Sequence, residues 1–594
     1  MSFSIKKILG IEGLGPEMKP MGPGRVQFID LTLRDGQQSL LATRMSTEQI
    51  MGIMPMILGT GVKTMEVWGG ATLDSSMRYL SEDPFVRLEM MAEAAAPFQC
   101  RLRALSRGQN LFGYDPYPDD IVKDFNREAV KAGVGVMRIF DALNCIPNFK
   151  AALEGTREGG GIFDGAICYT TGDPYDIEHF LKKAARLEEL GADMISDKDM
   201  AGLKKPGDAW NYYTALKERL SIPVVSHTHC TPGFGHISAV IAMLAGVDAI
   251  DTCFLPLAGG ASHPSVELLS VFADLLGIET GLDLSDKVLK PIHEELRKVI
   301  RDVREKFSVE THETRWPGRD VLAPMAEDVL HCLSEGRTRD ATAKMHEMEA
   351  LCGFPPPNLE VLEAQIPGGM YSNFKNQLAT DGKSEYLSTA LEAVQSVRKR
   401  AGWCPLVTPT SQIVGVKAYL EALGKDDVVP LQYQNLIAGY YGETPFPVDP
   451  DYRERICGFR EEARYDPSDF QREIPLLEGT DLPLARTQRE KLLYYLFPES
   501  SGRSYLESLR REEWEEMERK RRKRERELQK EREKKLKEEA ILNRYSKKMD
   551  QLSEELSEAL DDEASEQGFD DEALEEMADL AEMAGEDEED DREG

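Results

Sequence analysis

The sequence has no long uninterrupted hydrophobic run, because charged residues break every apolar stretch within a short distance. A membrane-spanning helix needs about 20 consecutive apolar residues, so we expect no membrane span. The N-terminal stretch "MSFSIKKILGIEGLGPEM" also lacks the hydrophobic segment and small-residue cleavage site of a signal peptide. Together these absences predict a cytoplasmic protein.

Cysteine and basic charge are also scarce. The nine cysteines occur singly, without a CxxC pair, which excludes a disulfide framework and a cysteine zinc motif and fits a reducing compartment. The formal net charge of -33 argues against nonspecific binding to nucleic acid.

Strand-like apolar runs recur through the first half of the 594-residue chain, and helix-patterned segments such as 176–192 and 235–247 separate them. This alternation predicts a parallel α/β fold. A doubly wound open sheet is the alternative, but the count of eight favours a closed (β/α)₈ TIM barrel. The predicted strands are 26–31, 64–68, 101–105, 136–140, 165–169, 193–196, 223–227 and 248–254.

The composition changes twice after the barrel region. Helical patterns dominate up to about residue 500, and a highly charged stretch follows in which Trp514, Met517, Leu528 and Leu536 are too sparse for a heptad seam. The predicted regions are an N-terminal extension (1–24), the barrel (25–283), a mainly helical domain completing an active-site funnel (284–504), a long charged helix (505–549) and an acidic, partly disordered tail (550–594).

Polar residues cluster where the predicted strands end, which is the catalytic face of such barrels. His227 and His229 are two residues apart, so on a strand they face the same side and can share a metal ion. Lys198 is an unexpected neighbour, because a protonated ammonium has no lone pair for a metal. Further candidates are Asp35, Gln38, Arg107 and Tyr114; taken singly, each has an ordinary structural explanation such as a surface ion pair.

Several motifs in one order resemble the biotin-dependent carboxyltransferases that act on pyruvate and oxaloacetate. This family includes the carboxyltransferase domain of pyruvate carboxylase, the alpha subunit of oxaloacetate decarboxylase and the pyruvate-binding subunit of transcarboxylase (methylmalonyl-CoA carboxytransferase). The resemblance covers roughly residues 25 to 500. The matching stretches are "LRDGQQSLLATRM" (33–45), "EVWGGATLDSSMRYLSEDPFVRL" (66–88), "LSRGQNLFGYDPYPDD" (105–120), "MRIFDALN" (137–144), "KDMAGLKKP" (198–206), "HTH" (227–229), "IPGGMYSNFKNQL" (366–378) and "LVTPTSQIVG" (406–415).

The resemblance implies a role for the lysine. In the family this lysine is carbamylated by CO₂ and becomes an anionic metal ligand. The implied metal site is Asp35, carbamylated Lys198, His227 and His229, holding Zn²⁺ or alternatively Co²⁺ or Mn²⁺. Arg107 and Gln38 are then expected to stabilise the enolate of pyruvate, and Arg107, Tyr114 and Gln38 to bind the substrate.

Two departures from the family pattern have consequences. The family's proton-relaying threonine aligns with Ala261, so the adjacent Ser262 is the candidate replacement. No Met-Lys-Met biotinylation motif occurs, so biotin is expected on a separate carrier subunit. The resemblance also implies a homodimer.

Two alternative functions remain open. One is an aldol- or Claisen-type metallolyase of the same barrel superfamily, which shares the "TLRDG-Q" and HxH patterns. The other is a non-catalytic subunit, which Ala261 would support and an intact metal set would oppose.

Overall fold

The protein folds around a closed barrel of eight parallel strands. The computed structural model describes residues 24–567. The strands follow one another in chain order around the barrel, and the last pairs with the first, from Gln27 beside Ala249 to Asp30 beside Thr252. The predicted TIM-barrel fold is therefore confirmed. The strands are β1 (Gln27–Asp30), β2 (Thr64–Gly69), β3 (Arg101–Arg107), β4 (Val134–Phe140), β5 (Ile162–Cys168), β6 (Met194–Asp199), β7 (Val224–Thr228) and β8 (Ala249–Thr252).

Helices connect consecutive strands, and local sequence signals set several of their ends. Ser46 and Gln49 form a reciprocal capping box at Thr47–Gly59, and Asp83 caps Pro84–Ala95, where proline occupies the first turn. The other helices of the barrel region are Gln37–Leu40, Gly70–Leu80, Asp119–Lys131, Lys150–Glu158, Ile177–Leu190, Pro206–Arg219, Gly235–Leu244 and Val266–Leu276, with short 3₁₀ turns at Ala96–Phe98, Ile146–Phe149 and Leu255–Leu257.

The chain after the barrel is mainly helical, as predicted from its sequence pattern. The first three helices, Asp286–Phe307, Arg319–Ser334 and Thr338–Leu351, share the apolar core of the barrel, so packing is continuous across the predicted boundary at 283. A second apolar cluster joins the later helices up to Pro450–Cys457 to Leu143 and Cys145, just after β4, whereas the last helix, Gln488–Leu496, packs into the core of the barrel. The later helices are Leu359–Ala364, Gly368–Thr380, Leu387–Arg400, Thr410–Ala422, Leu431–Ala438, Pro450–Cys457 and Gln488–Leu496, with 3₁₀ turns at Ser384–Tyr386 and Pro467–Asp469.

One long helix, Ser501–Gln567, ends the described part of the chain. The charged helix is present as predicted, but it continues beyond 549 because the predicted acidic tail is rich in the helix formers Glu, Leu and Ala. The predicted extension 1–23 and the acidic segment 568–594 lie outside the described residues. By contact the chain divides into two compact units between Ser508 and Leu509. Within 24–567, no helix is both long and apolar enough to cross a membrane.

A close helix contact beside the barrel depends on one glycine. A Cβ atom added to Gly155, in helix Lys150–Glu158, would lie 2.2 Å from the backbone oxygen of Lys123 in helix Asp119–Lys131. A real Cβ atom cannot approach a backbone oxygen that closely, so these two helices can pack at this distance only with glycine here.

We expect Gly155→Ala to lower the thermal unfolding midpoint, because the clash costs about 1–3 kcal/mol and exceeds the usual gain of alanine over glycine in a helix. The matched control is Gly52→Ala in helix Thr47–Gly59, where an added Cβ meets nothing within 4 Å. That variant should gain up to about 1 kcal/mol. Equal midpoints for the two variants would contradict the proposed packing constraint.

Candidate active site at the carboxyl end of the barrel

The site lies in a cavity of about 1210 Å³ at the carboxyl ends of the strands. Barrel residues form one part of its wall, and residues 367–370 and 408–420 of the helical region form another. Asp35 reaches the cavity from a π-helical turn, Thr32–Gly36, directly after β1. Such irregular turns are frequent at functional sites because they redirect side chains. The cavity is therefore shared by the two parts of the chain.

Four buried side chains form a compact cluster beside this cavity. Asp35, His227, His229 and His263 each offer one ligand atom, and all four atoms lie within 4.8 Å of one another. Asp35 Oδ2 is 2.9 Å from His263 Nε2 and 3.8 Å from His229 Nε2. The structure thus brings together three of the four predicted metal-site residues and adds a histidine that the sequence analysis did not assign.

The outer nitrogen of each histidine contacts an oxygen that can only accept a hydrogen bond. On His229 and His263 the Nδ1 atom therefore carries the proton, and the Nε2 lone pair points into the cluster. His227 Nδ1 also lies 2.9 Å from Arg138 Nη1, so this nitrogen has a partner in either tautomer. A proton held in this way by an outer oxygen is typical of metal-binding histidines. The pairs are His263 with the Thr228 carbonyl at 2.8 Å, His229 with the Ala261 carbonyl at 2.6 Å and His227 with Asp251 Oδ2 at 2.7 Å.

The inner atoms of the cluster face one another at short distances. His263 Nε2 is fully buried and has no hydrogen-bond partner in the described chain, although it faces Asp35 at 2.9 Å. Burial lowers the pKa of His229 to about 3, with neighbouring His263 contributing, so its imidazole is neutral. Burial raises the pKa of Asp35, but Arg34, His263 and His229 outweigh it and hold that pKa well below 3.8. Lone pairs and an anion therefore converge, and this donor set fits a divalent cation.

Lys198 lies beside the cluster because of strand register. It belongs to β6 rather than to the loop that the sequence predicted after residue 196, and it is paired with His227 of β7. Its Nζ atom is 3.2 Å from His227 Nε2. Burial lowers the pKa of Lys198 to about 8, so a much larger fraction of the amine is neutral near physiological pH than in an ordinary lysine. A neutral amine is the form that reacts with CO₂.

A network of buried ion pairs supports the cluster from inside the barrel. Asp251, which contacts His227, also accepts hydrogen bonds from Arg103 at 2.7 Å and from Arg138 at 2.5 Å. Arg103 and Arg34 in turn both contact Glu66. Every member is buried, and a charge at such a position must be compensated by a partner. This network fixes the position of His227.

Arg107 differs from the buried arginines of this network. It lies at the end of β3, lines the cavity and donates a hydrogen bond to the Gly113 carbonyl at 3.1 Å. Burial lowers its pKa to about 10, so the guanidinium remains charged at neutral pH. No carboxylate of residues 24–567 forms an ion pair with it. A buried cation without an anion beside an open cavity is suited to bind an anionic ligand.

Of the other predicted site residues, Gln38 and Tyr114 reach the cavity and Ser262 does not. Gln38 lines the cavity, and its Oε1 is 3.5 Å from Arg34. Tyr114 also lines it and donates a hydrogen bond to Gln412 at 3.0 Å. Ser262 does not reach the cavity, because its fully buried hydroxyl donates to the Leu257 carbonyl at 2.7 Å. Ala261 occupies the cavity wall instead, so Ser262 is not positioned to replace the family threonine.

The sequence did contain a signal for the unassigned histidine. His263 follows β8 in the stretch "GGASHPS", and a third histidine at the strand ends of one barrel could have been counted with the HxH pair. Whether His263 belongs to the ligand cluster depends on how that loop folds. The contact of its Nδ1 atom with the Thr228 carbonyl orients the ring so that Nε2 faces Asp35.

A closed (β/α)₈ barrel with a polar, partly cationic cavity at the carboxyl ends of its strands is the architecture of a barrel enzyme. The comparisons with known proteins agree. Residues 361–543 match the family model described as a conserved carboxylase domain. The chain is 35% identical over 480 residues to a pyruvate carboxylase subunit of Methanocaldococcus jannaschii, covering 80% of this chain and 76% of that protein.

Two further relatives are informative. The 2-oxoglutarate carboxylase large subunit of Hydrogenobacter thermophilus is 33% identical, over 80% of this chain and 67% of its own. The solved carboxyl transferase domain of Rhizobium etli pyruvate carboxylase with pyruvate and biocytin has a TM-score of 0.63 at 27% identity, covering 81% of this chain and 77% of that one. This chain belongs to the family of biotin-dependent carboxyltransferases that includes the pyruvate carboxylases. The family and enzyme class predicted from the sequence are confirmed.

Proposed function

We propose that this chain moves a carboxyl group between carboxybiotin, carried on a separate subunit, and pyruvate or oxaloacetate. The observation that carries the proposal is Arg107, a buried cation without a carboxylate partner in the described chain, which faces the same cavity as the ligand cluster. A keto acid offers the two groups that this arrangement accommodates, namely a carboxylate for Arg107 and a keto oxygen for the cluster.

The proposed metal ligands are Asp35, His227 and His229, with Lys198 as a carbamate and His263 as an additional nitrogen donor. Zn²⁺ suits this mixed nitrogen and oxygen set, and Co²⁺ or Mn²⁺ are alternatives. When bound, the ion would act as a Lewis acid that polarises the keto group and so acidifies the neighbouring methyl group.

The chain's own residues perform the remaining tasks. Arg107 orients the substrate carboxylate through its planar guanidinium, and Gln38 and Tyr114 add hydrogen-bond donors along the wall. Residues 367–370 line the cavity on the side of the helical region. A reactive enolate is protected when its site is separated from bulk water. In the carboxylation direction, the carboxybiotin N–C bond breaks, a C–C bond forms at the pyruvate methyl carbon, and the methyl proton passes to the biotin nitrogen. Ala261 has no hydroxyl to relay that proton.

The balance of charges favours an acceptor with one carboxylate. Lys198 and Arg107 are the cavity-lining cations of the described chain that form no ion pair, and Lys198 is assigned to the ligand cluster. Only Arg107 is then left for substrate. This arrangement suits pyruvate, whereas 2-oxoglutarate would bring a second carboxylate without a partner.

Oxaloacetate decarboxylation by the purified chain, with free biotin as acceptor, tests the function. We expect turnover that requires biotin, and a preference for oxaloacetate and pyruvate over substrates with an added carboxylate. Arg107→Lys keeps the charge but loses the two-point contact, so kcat/KM should fall roughly 10- to 100-fold.

The control for this assay is Arg186→Lys, a substitution at a surface arginine whose side chain is 68% exposed. Equal turnover with and without biotin would indicate the lyase alternative. A chain that binds metal but turns over no keto acid would indicate a non-catalytic subunit. An unchanged kcat/KM in Arg107→Lys would remove Arg107 from the site.

Lys198 provides a second prediction. Lys198→Ala and Lys198→Arg should both lose activity, because neither side chain can form a carbamate. In the wild type, ¹³CO₂ held at a fixed partial pressure should produce a carbamate resonance, and its rate of formation should rise as pH increases toward about 8, where half of the Lys198 amine is neutral. Lys205→Ala, at an exposed neighbour, is the control. Full activity in Lys198→Arg would exclude the carbamate.

His263 provides a third prediction, measured as metal affinity rather than activity. His263→Gln preserves much of the volume but removes the inward nitrogen, so we expect metal to bind roughly 10- to 100-fold more weakly. The absorption spectrum of the Co²⁺-loaded protein should also change, since ligand number sets that spectrum. His312→Gln, at a histidine that contacts the Ala258 carbonyl outside the cluster, is the control. An unaltered affinity and spectrum would show that His263 is not a ligand.

A further inference from the structure

The end of the long helix carries an apolar stripe, which lies beyond the sparse apolar residues of 510–540. Leu542, Tyr545, Met549, Leu552 and Leu556 recur at alternating spacings of three and four residues, and Ala559 continues the pattern. These are the a and d positions of a heptad. The five large side chains are between 50% and 67% exposed on their helix.

Charge along the same helix changes sign within this stripe. Basic residues outnumber acidic ones between 519 and 548, whereas 549–567 contains acidic residues but no lysine or arginine. A helix with this distribution repels an identical helix aligned in parallel, because like charges then face each other. It attracts one aligned in the opposite direction, since the basic half then faces the acidic half.

The heptad positions fit this antiparallel alignment in detail. An antiparallel pair sets a positions against d positions. This places Leu542 against Ala559, Tyr545 against Leu556 and Met549 against Leu552 of the second copy. Lys548 occupies a g position beside this seam, and the same alignment puts Glu555 of the second copy opposite it. By symmetry, each contact occurs twice.

We propose that residues 542–559 form an antiparallel coiled coil with the same segment of a second copy of this chain. We assign a second copy of this chain as the partner because the stripe is self-complementary in both its apolar layers and its charges. The apolar seam is short, and part of the attraction is electrostatic. The association is therefore expected to depend on protein concentration and to weaken with salt.

Sedimentation equilibrium of the full-length chain at low salt tests the charge contact. Lys548→Glu places like charges opposite each other at two symmetric points, so self-association should weaken roughly 4- to 30-fold. Adding Glu555→Lys to the same chain reverses the charge of both residues of the pair, so self-association should be restored. The matched control is Lys547→Glu, which makes the same change in net charge at the adjacent f position on the outer face.

The apolar seam has its own matched pair. Leu552→Ser should remove most of the salt-sensitive self-association, because it empties a central layer twice in the pair. Leu536→Ser should not, since Leu536 is 63% exposed but lies outside the a and d positions. Equal effects of the two serine variants would overturn the proposed seam.

Crosslinking decides the direction and the partner. In a Cys457→Ser background, chains with Tyr545→Cys and chains with Leu556→Cys should form disulfides when mixed, and neither should do so alone. Cys457 is replaced because it is the half-buried cysteine among nine, the others being buried. Crosslinking of Tyr545→Cys with itself would indicate a parallel pair. A chain that stays monomeric, or a dimer without either crosslink, would mean that another partner or surface is used; each outcome overturns the proposal.

Discussion

The site depends on the need to compensate charge inside the barrel. Asp251 is buried at the end of the strands, where it accepts hydrogen bonds from two arginines and contacts the Nδ1 atom of His227. Burying these charges is tolerable only because each has a partner at hydrogen-bond distance. The same contacts fix the His227 ring so that its other nitrogen faces Lys198 and the ligand cluster. Ion pairing in the core and ligand orientation are thus parts of one network.

The groups that lack such compensation mark the functional surface of the cavity. Arg107 is a buried cation without a carboxylate partner in the described chain, and His263 directs a buried lone pair toward Asp35. In a folded protein such groups are costly, so their persistence indicates that a ligand completes them. One group requires an anion and the other a cation. Under the proposed function, a keto acid bound beside a divalent metal would satisfy both requirements.

The chain keeps the family's chemistry but changes details around it. Ala261 lies on the cavity wall at the position where the resemblance predicts the family's threonine, and Ser262 is turned toward Leu257. Two positions further on from Ala261, His263 extends the ligand cluster. Both residues lie in one loop after β8, so the proposed proton transfer and the proposed metal coordination depend on the same loop. The helix end at 542–559 adds a self-complementary surface far along the sequence from this chemistry.

The sequence by itself determined the barrel, because eight apolar runs that alternate with amphipathic helices match the eight strands and helices of a closed (β/α)₈ barrel. It also determined the family and most candidate residues, because the motifs and their order can be read without a structure. The pairing of Lys198 with His227 across β6 and β7, the outward rotation of Ser262 and the inward rotation of His263 were decided only by the tertiary structure. The physical reason is that strand register and loop hydrogen bonds set the direction of a side chain, and these contacts join residues that are distant in the sequence or fold back within one loop.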